Sequence, residues 1–310
     1  MKKVRIKTPS RLHFGVINIK NSDFNLYGSV GLALSNPFSI IEAYEKENSL
    51  KINVYREDIK FRLSKLLKYY KLNKNLEINL INEIPEHVGL GSTTQTVLAI
   101  SEALFIANDL RFDPYEIAPI LEIGKISGIG IGAYLFGGFL IDNGKNYLNE
   151  ITKLSFKCDF PNDWGFILII DYKAKRISGK EEEELFKILP ITPKNRIEKM
   201  LNLIEGMKDA IKERDIESFG KNLTQLQINV GLNFSSVQKD IFIFKDYIDM
   251  LKGLGAFGVG QSSWGPTIYG LFYVRDLIKV KEKIIDRLYS NVDIINSYAN
   301  NYGREIKKYD

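Results

Sequence analysis

Three short stretches hold residue types that could do chemistry together. The first is Pro85-Glu86-His87-Val88-Gly89-Leu90-Gly91-Ser92-Thr93-Thr94-Gln95, which follows an apolar strand-like run, Leu76 to Ile81, and opens a helix-like run, Thr96 to Asn108. A glycine-rich turn feeding a helix N-terminus is a phosphate cradle: the backbone can approach the ligand, free N–H groups point at it, and the helix dipole adds positive potential. The hydroxyls of Ser92, Thr93 and Thr94 could touch phosphate oxygens or a magnesium ion, although Ser92 or Thr93 as an ordinary N-cap explains the same letters. The second stretch holds Arg11 and His13. Arg11 offers a planar fork that matches phosphate or carboxylate. His13, two residues on, shares a strand face with it and could donate to phosphate or act as a base. A surface ion pair for Arg11 and a satisfied core position for His13 are the competing readings. The third stretch, Gly253 to Thr267, carries Gly258, Gly260, Gln261, Ser262, Ser263 and Trp264. It could close over a ligand, with Trp264 either packing on an aromatic ring or filling core.

Further candidates sit around these. Ser127, Gly128, Gly130 and Gly132 could shape the floor near an acceptor, or serve backbone packing alone. Lys173, Lys175 and Arg176 follow a buried strand and could hold a phosphate, or form a solvated loop. Gln95 could bond an acid or a phosphate, or be exposed; His87 could contact the ligand or shape the loop. Asp142, before Asn143-Gly144, is a candidate magnesium ligand or a surface turn residue.

The elements that must position these residues read as α+β, since strands and helices alternate irregularly after a strand-rich first third. Val4, Ile6, Leu12, Phe14, Val16 and Ile19 alternate as strands do, and Leu26 to Leu34, Phe38 to Ala43 and Leu50 to Tyr55 read as further strands. Asp58 to Tyr70 reads as a helix with Ile59, Leu63, Leu66 and Leu67 on one face. Pro114 starts another helix. The stretch from Tyr147 to Phe160 is polar and irregular, and a domain boundary is expected near Asp159, giving units 1–159 and 160–310. The second unit opens on a buried strand, Trp164 to Asp171. An acidic helix start at Glu181 to Glu184 follows, then a long helical stretch from Thr192-Pro193 to about Gln227, broken near Arg214-Asp215. Ser235 or Ser236 is expected to cap another helix, and Ile268 to Val274, Asp276 to Tyr289 and Val292 to Tyr298 read as strand, helix and strand.

Bulk properties narrow the class. The 310 residues can bury a large core and could hold two domains. The net charge of +5 is spread along the chain, which suits anionic small molecules and argues against nucleic acid as partner. One cysteine, Cys158, rules out an intrachain disulfide and fits a reducing, cytoplasmic setting. Two histidines leave little for a transition-metal site. Neither a signal peptide nor a membrane span is expected, the longest apolar run being Phe166 to Ile170.

Taken in order, Pro9-Ser10-Arg11-Leu12, the Pro85 to Ser92 loop and the Gly255 to Gly260 loop resemble the family of galactokinase, homoserine kinase, mevalonate kinase and phosphomevalonate kinase. The resemblance implies an N-terminal domain with a left-handed βαβ crossover, a ferredoxin-like C-terminal domain, a ligand cleft between them, and a homodimer. Two departures count against kinase chemistry. His13-Phe14-Gly15-Val16-Ile17-Asn18 holds no carboxylate where those kinases usually carry a magnesium-holding Glu. Gly130 of Ser127-Gly128-Ile129-Gly130 stands where many carry a catalytic Asp. Phosphoryl transfer needs an oriented nucleophile and a held metal, and both usual providers are missing.

Arg11-Leu12-His13-Phe14, Gly89 to Gln95, Ser127 to Gly132 and Gly258 to Pro266 are similar to the β-ribofuranosylaminobenzene 5′-phosphate synthases, an archaeal branch of that superfamily in methanopterin biosynthesis. That resemblance implies a Mg²⁺-dependent glycosyl transfer. Phosphoribosyl pyrophosphate would react with 4-aminobenzoate or 4-hydroxybenzoate to give a C-riboside, with loss of pyrophosphate and CO₂. No strong metal ligand set is visible, so the substrate's own pyrophosphate is expected to hold most of the ion with Ser92 and Thr93. The alternatives are an ATP-dependent small-molecule kinase with a displaced base, and a non-catalytic binding protein that kept the cleft.

Overall fold

The structure is a computed structural model, and it describes residues 3–47, 49–72, 75–146, 151–174, 177, 179–288 and 291–309. The chain runs β1 (Lys3–Asn18), β2 (Tyr27–Glu45), β3 (Leu50–Asn53), α1 (Glu57–Tyr70), β4 (Leu76–Asn82), α2 (Ser92–Ala107), α3 (Pro114–Leu121) and α4 (Ile129–Leu135). It continues through β5 (Phe139–Asp142), β6 (Leu154–Cys158), β7 (Trp164–Asp171), α5 (Gly179–Ile188), α6 (Lys194–Glu213), α7 (Ile216–Gln238) and α8 (Lys245–Gly253). The last elements are β8 (Gly258–Gln261), β9 (Thr267–Tyr273), α9 (Leu277–Ile285), β10 (Val292–Tyr298) and β11 (Glu305–Tyr309).

Among the described residues, seven strands make the first sheet. Five follow the order β11-β1-β2-β4-β3, and β5 joins β2 and β6. Its pairs are antiparallel except β3 and β4, which are parallel and joined through α1 as a βαβ unit. The second sheet has the antiparallel order β10-β7-β9-β8. Taken as first, second, third and fourth strands of a unit, that order is 4-1-3-2, the ferredoxin-like arrangement. Helices α8 and α9 pack together on one face of this sheet, against Ile167, Ile169 and Ile268. Helices α6 and α7 fill the space between the two sheets, where Phe166 and Leu168 meet Leu12, Phe14, Phe219 and Leu226. Among the described residues no helix is long and apolar enough to cross a membrane.

Strand β1 does more than its alternation predicts. Val4 and Ile6 face the helical layer of α1 to α3, whereas Leu12 and Phe14 face the second domain. All four positions are even, so an unbroken strand would have kept them on one side. The register shift between Pro9 and Ser10 moves the second half of the strand onto the other face, and a further shift between His13 and Gly15 bends it again. The two expected arms Leu26 to Leu34 and Phe38 to Ala43 are one strand, β2, continuous through Pro37.

Other expectations need correction. α2 begins at Ser92 rather than Thr96, so Ser92, Thr93 and Thr94 form its first turn. α7 does not stop at Gln227 but runs to Gln238, and neither Ser235 nor Ser236 caps a helix. Ser235 bonds back to the Leu232 carbonyl within the helix. Buried Gln227 and Val230 hold this stretch against the core, so packing outweighs the local preference of serine for a cap. The irregular stretch before Asp159 contains the edge strand β6, while residues 147–150 lie outside the described ones. The division near Asp159 falls between β6 and β7, where the chain leaves the first sheet, and β11 crosses back over it to pair with β1.

That return is locked beside α2. Glu102, buried, receives Arg304 through Nη2 at 2.8 Å and Nε at 2.9 Å, and the Tyr134 hydroxyl donates to the same carboxylate. Glu102→Ala leaves a largely buried guanidinium and a buried phenol without their shared acceptor. Urea unfolding should show a loss of about 3 kcal/mol, as for other broken buried pairs. A loss under about 1 kcal/mol would mean that β11 is held by its sheet bonds alone.

Candidate active site

The Pro85–Gly91 loop is bent by three residues with positive φ: His87 (54°), Gly89 (83°) and Gly91 (84°). Gly91 is the N-cap of α2 and caps it with no side chain, so the first-turn N–H groups are not closed off by a cap hydroxyl. A Cβ on Gly89 would stand 2.2 Å from the Ser262 carbonyl oxygen, and one on Gly91 would stand 3.2 Å from the Arg11 side chain. The loop thus needs glycine twice, once for contact with the second domain and once to let Arg11 pass.

Three segments distant in sequence close into one hydrogen-bonded knot here. The Arg11 amide donates to Leu90 O at 3.1 Å, and the Arg11 guanidinium donates to Gly89 O. The Ser262 hydroxyl donates to Gly89 O at 2.6 Å and accepts from the His13 amide at 3.0 Å. The Ser263 amide donates to His13 O at 3.1 Å, and the Thr267 hydroxyl donates to Val88 O at 2.6 Å. Behind them, Gln227 of α7 donates to Phe14 O and accepts from the Gln261 amide at 2.8 Å.

The knot borders a cavity of about 280 Å³ between the domains, lined by Arg11, His13, Gly89, Gly91, Ser92, Thr93, Thr94, Ser127, Gln261, Ser263 and Trp264 of the expected residues. His87 lines it as well. Arg11 Nε and His13 Nδ1 are buried and have no protein partner among the described residues. Burial pushes the Arg11 pKa down to about 10, so it stays cationic near neutral pH. Burial and then the Arg11 charge push His13 down to about 3, so its imidazole is neutral and a weak base.

Several expected residues lie elsewhere. Gln95 is fully buried beneath the cleft, where its amide donates to Gly130 O at 2.8 Å. The Gly128 amide donates to Asp142, and a Cβ on Gly130 would press on Thr94, so both belong to the packing under the floor. Gly258 gives room to Gly220 of α7 and Gly260 to Gln227, so these two seat a helix on β8 and do not meet the cleft. Ser262 ties the knot and does not line the cavity. Asp142 is neither a surface turn residue nor placed as a metal ligand. It is buried and accepts from the amides of Ser29 (3.1 Å), Gly128 (2.9 Å) and Gly144 (3.0 Å). Lys173 is exposed and does not line the cavity, and Lys175 and Arg176 fall outside the described residues.

The structure adds residues that sequence reasoning passed over. Buried Arg56 donates to Ser92 Oγ at 3.2 Å and to Thr93 Oγ1, and pairs with Asp58 (2.7 Å), Glu83 (2.7 Å) and Glu86 (3.2 Å). It fixes the two hydroxyls at the helix start and holds three carboxylates around itself. Asp58, Glu86 and His87 each place a ligand atom within 4.8 Å of the others. Also lining the cavity, Glu182 of α5 accepts from Trp264 Nε1 at 3.1 Å, with Phe186 and Phe234 alongside. The only advance signal for Glu182 was the acidic helix start, which the helix dipole explains equally well.

Both halves of the chain match described domains: residues 58–138 match "GHMP kinases N terminal domain" and residues 207–291 match "GHMP kinases C terminal". The β-ribofuranosylphenol 5′-phosphate synthase of Methanocaldococcus jannaschii is 33% identical over 97% of this chain and 99% of its own length. The protein of that name from Archaeoglobus fulgidus is 31% identical over 86% of this chain and 87% of its own. Among solved structures, mevalonate diphosphate decarboxylase from Staphylococcus aureus superposes with a TM-score of 0.73 at 15% identity, covering 99% of this chain and 98% of that one, which shows the fold.

The buried imidazole gives the site a pH signature. The unfolded chain takes up a proton at His13 near pH 6.5, whereas the folded chain stays neutral there until about pH 3. Acid therefore favours unfolding: the contribution is complete above pH 6.5 and is lost as pH falls toward 3. Between pH 6.5 and 5 wild type should lose about 2 kcal/mol more than His13→Asn in urea unfolding. Parallel losses in the two proteins would show that the imidazole is solvated.

Proposed function

The chain belongs to the family of β-ribofuranosylphenol 5′-phosphate synthases, carrying the N- and C-terminal domains of the GHMP kinases, and on that premise we propose that it joins phosphoribosyl pyrophosphate to 4-hydroxybenzoate. A C-riboside forms, and pyrophosphate and CO₂ leave. The phenol in the relatives' name favours the hydroxy acid over 4-aminobenzoate. The observation that carries the reading is the convergence of Arg11, the glycine loop and the Gln261 to Trp264 run on one cleft, under a floor in which Gly130 presents no carboxylate.

The reaction suits these residues. As the ring carbon bearing the carboxylate approaches ribose C1, the transition state gains oxocarbenium character and negative charge grows on pyrophosphate. Fixed donors that meet this growing charge are the useful catalyst. The first-turn amides of α2, the hydroxyls of Ser92 and Thr93 and the guanidinium of Arg11 would supply them. Neutral His13 would donate a hydrogen bond rather than remove a proton. The carboxylate oxygens of Asp58 and Glu86 are hard donors of the kind Mg²⁺ takes, and with Thr93 and the substrate's pyrophosphate they would hold it. When bound, Mg²⁺ would supply countercharge to the departing pyrophosphate. The rings of Trp264, Phe186 and Phe234 would flank the acceptor.

Purified protein with Mg²⁺, phosphoribosyl pyrophosphate and carboxyl-labelled 4-hydroxybenzoate should release labelled CO₂ without consuming ATP. Release that depends on ATP, or ADP formation in an acceptor screen, would favour the kinase; silence in both would favour a binding protein. Gly91→Val should weaken phosphoribosyl pyrophosphate binding by calorimetry at least about 100-fold, because a branched side chain at φ +84° blocks the approach to the loop and displaces Arg11. Unchanged binding would remove this loop from the site.

A further inference from the structure

We propose that Glu182, in the first turn of α5, is the base that takes the proton from the acceptor's hydroxyl and returns it when CO₂ has left. The inference rests on the phosphoribosyl-transfer reading above and names a residue that the motifs do not contain.

Its placement comes first. α5 belongs to neither sheet, yet it brings Glu182 and Phe186 into the same cavity wall as Trp264 and Phe234. The three rings meet edge-on, with centroids 4.6 Å apart for Phe234–Trp264, 5.7 Å for Phe186–Trp264 and 5.8 Å for Phe186–Phe234. Trp264 and Phe186 are buried in one apolar cluster at this wall, and a flat aromatic acceptor is the kind of ligand that packs against such rings. Trp264 donates to Oε1 of Glu182 at 3.1 Å and orients the carboxylate at the edge of this aromatic wall. That bond uses one oxygen, and the other can take a proton.

Its electrostatics suit the task. Burial raises the Glu182 pKa; the Arg11 charge and the Trp264 N–H oppose the rise, and Glu183 on the same helix adds to it. Glu183 is in turn paired with Lys125 at 3.3 Å. Asp58 and His87 also line the cavity, beside the glycine loop, whereas His13, the base expected from the sequence, is pushed down to about 3. Two titratable groups in one cleft are thus driven apart, and the carboxylate is the one moved toward neutral pH.

The step balances. The phenol O–H bond breaks and its proton passes to Glu182. The electron pair on oxygen moves through the ring to the carbon bearing the carboxylate, which forms the bond to ribose C1 as the C1–O bond to pyrophosphate breaks. The C–CO₂ bond then breaks, its electron pair restores the aromatic ring and the phenolate oxygen, and Glu182 returns the proton. An amino group can push electrons without losing a proton, so 4-aminobenzoate would bypass the base.

Glu182→Gln keeps an oxygen for Trp264 and nearly the same volume. With 4-hydroxybenzoate its rate should fall at least about 100-fold, the scale of general base catalysis, and the acid limb of the wild-type pH–rate profile should disappear. With 3-fluoro-4-hydroxybenzoate, whose hydroxyl is more acidic, the deficit should shrink, and any rate with 4-aminobenzoate should change less than about threefold. Equal losses with all acceptors, or none with 4-hydroxybenzoate, would overturn the assignment. Wild-type protein that turns over no aromatic acid would instead defeat the underlying reaction, and Glu182 with it.

Discussion

The Ser262 hydroxyl accepts a hydrogen bond from the His13 amide and donates one to the Gly89 carbonyl. Through that one oxygen, strand β1 of the first sheet, the glycine loop ahead of α2 and the β8–β9 turn of the second sheet hold one another in place. The His13 amide and the Val88 carbonyl of this knot are buried, and a buried peptide group left without its partner loses about 1–3 kcal/mol. The same contact explains the bareness of position 89, where any side chain would strike the Ser262 carbonyl. The cradle is therefore a joint property of two domains.

Charge is arranged around that joint with a division of labour. Arg56 lies behind the helix start and ties the Ser92 and Thr93 hydroxyls to Asp58, Glu83 and Glu86. Arg11 lines the cavity, while its Nε is buried without a protein partner among the described residues. β1 carries no carboxylate and Gly130 none, whereas α5 brings an acidic side chain, Glu182, to the cavity. The leaving group would lie beside Arg11 and the first turn of α2, and the acceptor's hydroxyl beside Glu182.

Much of this was legible in the sequence because the knot is built from consecutive residues with unusual composition. Glycines at fixed spacing, Arg11 two residues before His13, and the Gln261 to Pro266 run mark backbone that must approach other backbone. The fold class and the family followed from their order. What escaped notice is physically different. β6 and β11 are short, half-exposed edge strands whose lysines and glutamates read as loop. Arg56 and Glu182 lie within short charged runs that read as solvated surface, and only tertiary packing brings them to the site. Gln95, Gly258 and Gly260 sit within the right motifs, but the helix and strand geometry turns them toward packing rather than toward the cleft. A motif shows where the backbone is special and does not show which side chains face the ligand.

The central claim is that this cleft forms a carbon–carbon bond to ribose. The direct measurement is carbon NMR of the product made from phosphoribosyl pyrophosphate labelled with ¹³C at ribose C1 and 4-hydroxybenzoate labelled with ¹³C at the ring carbon bearing the carboxylate. A one-bond coupling between the two labelled carbons, with the carboxyl group gone, is the predicted result. A product that keeps its carboxyl group and joins ribose through the phenol oxygen, or an acceptor that is phosphorylated instead, would contradict it.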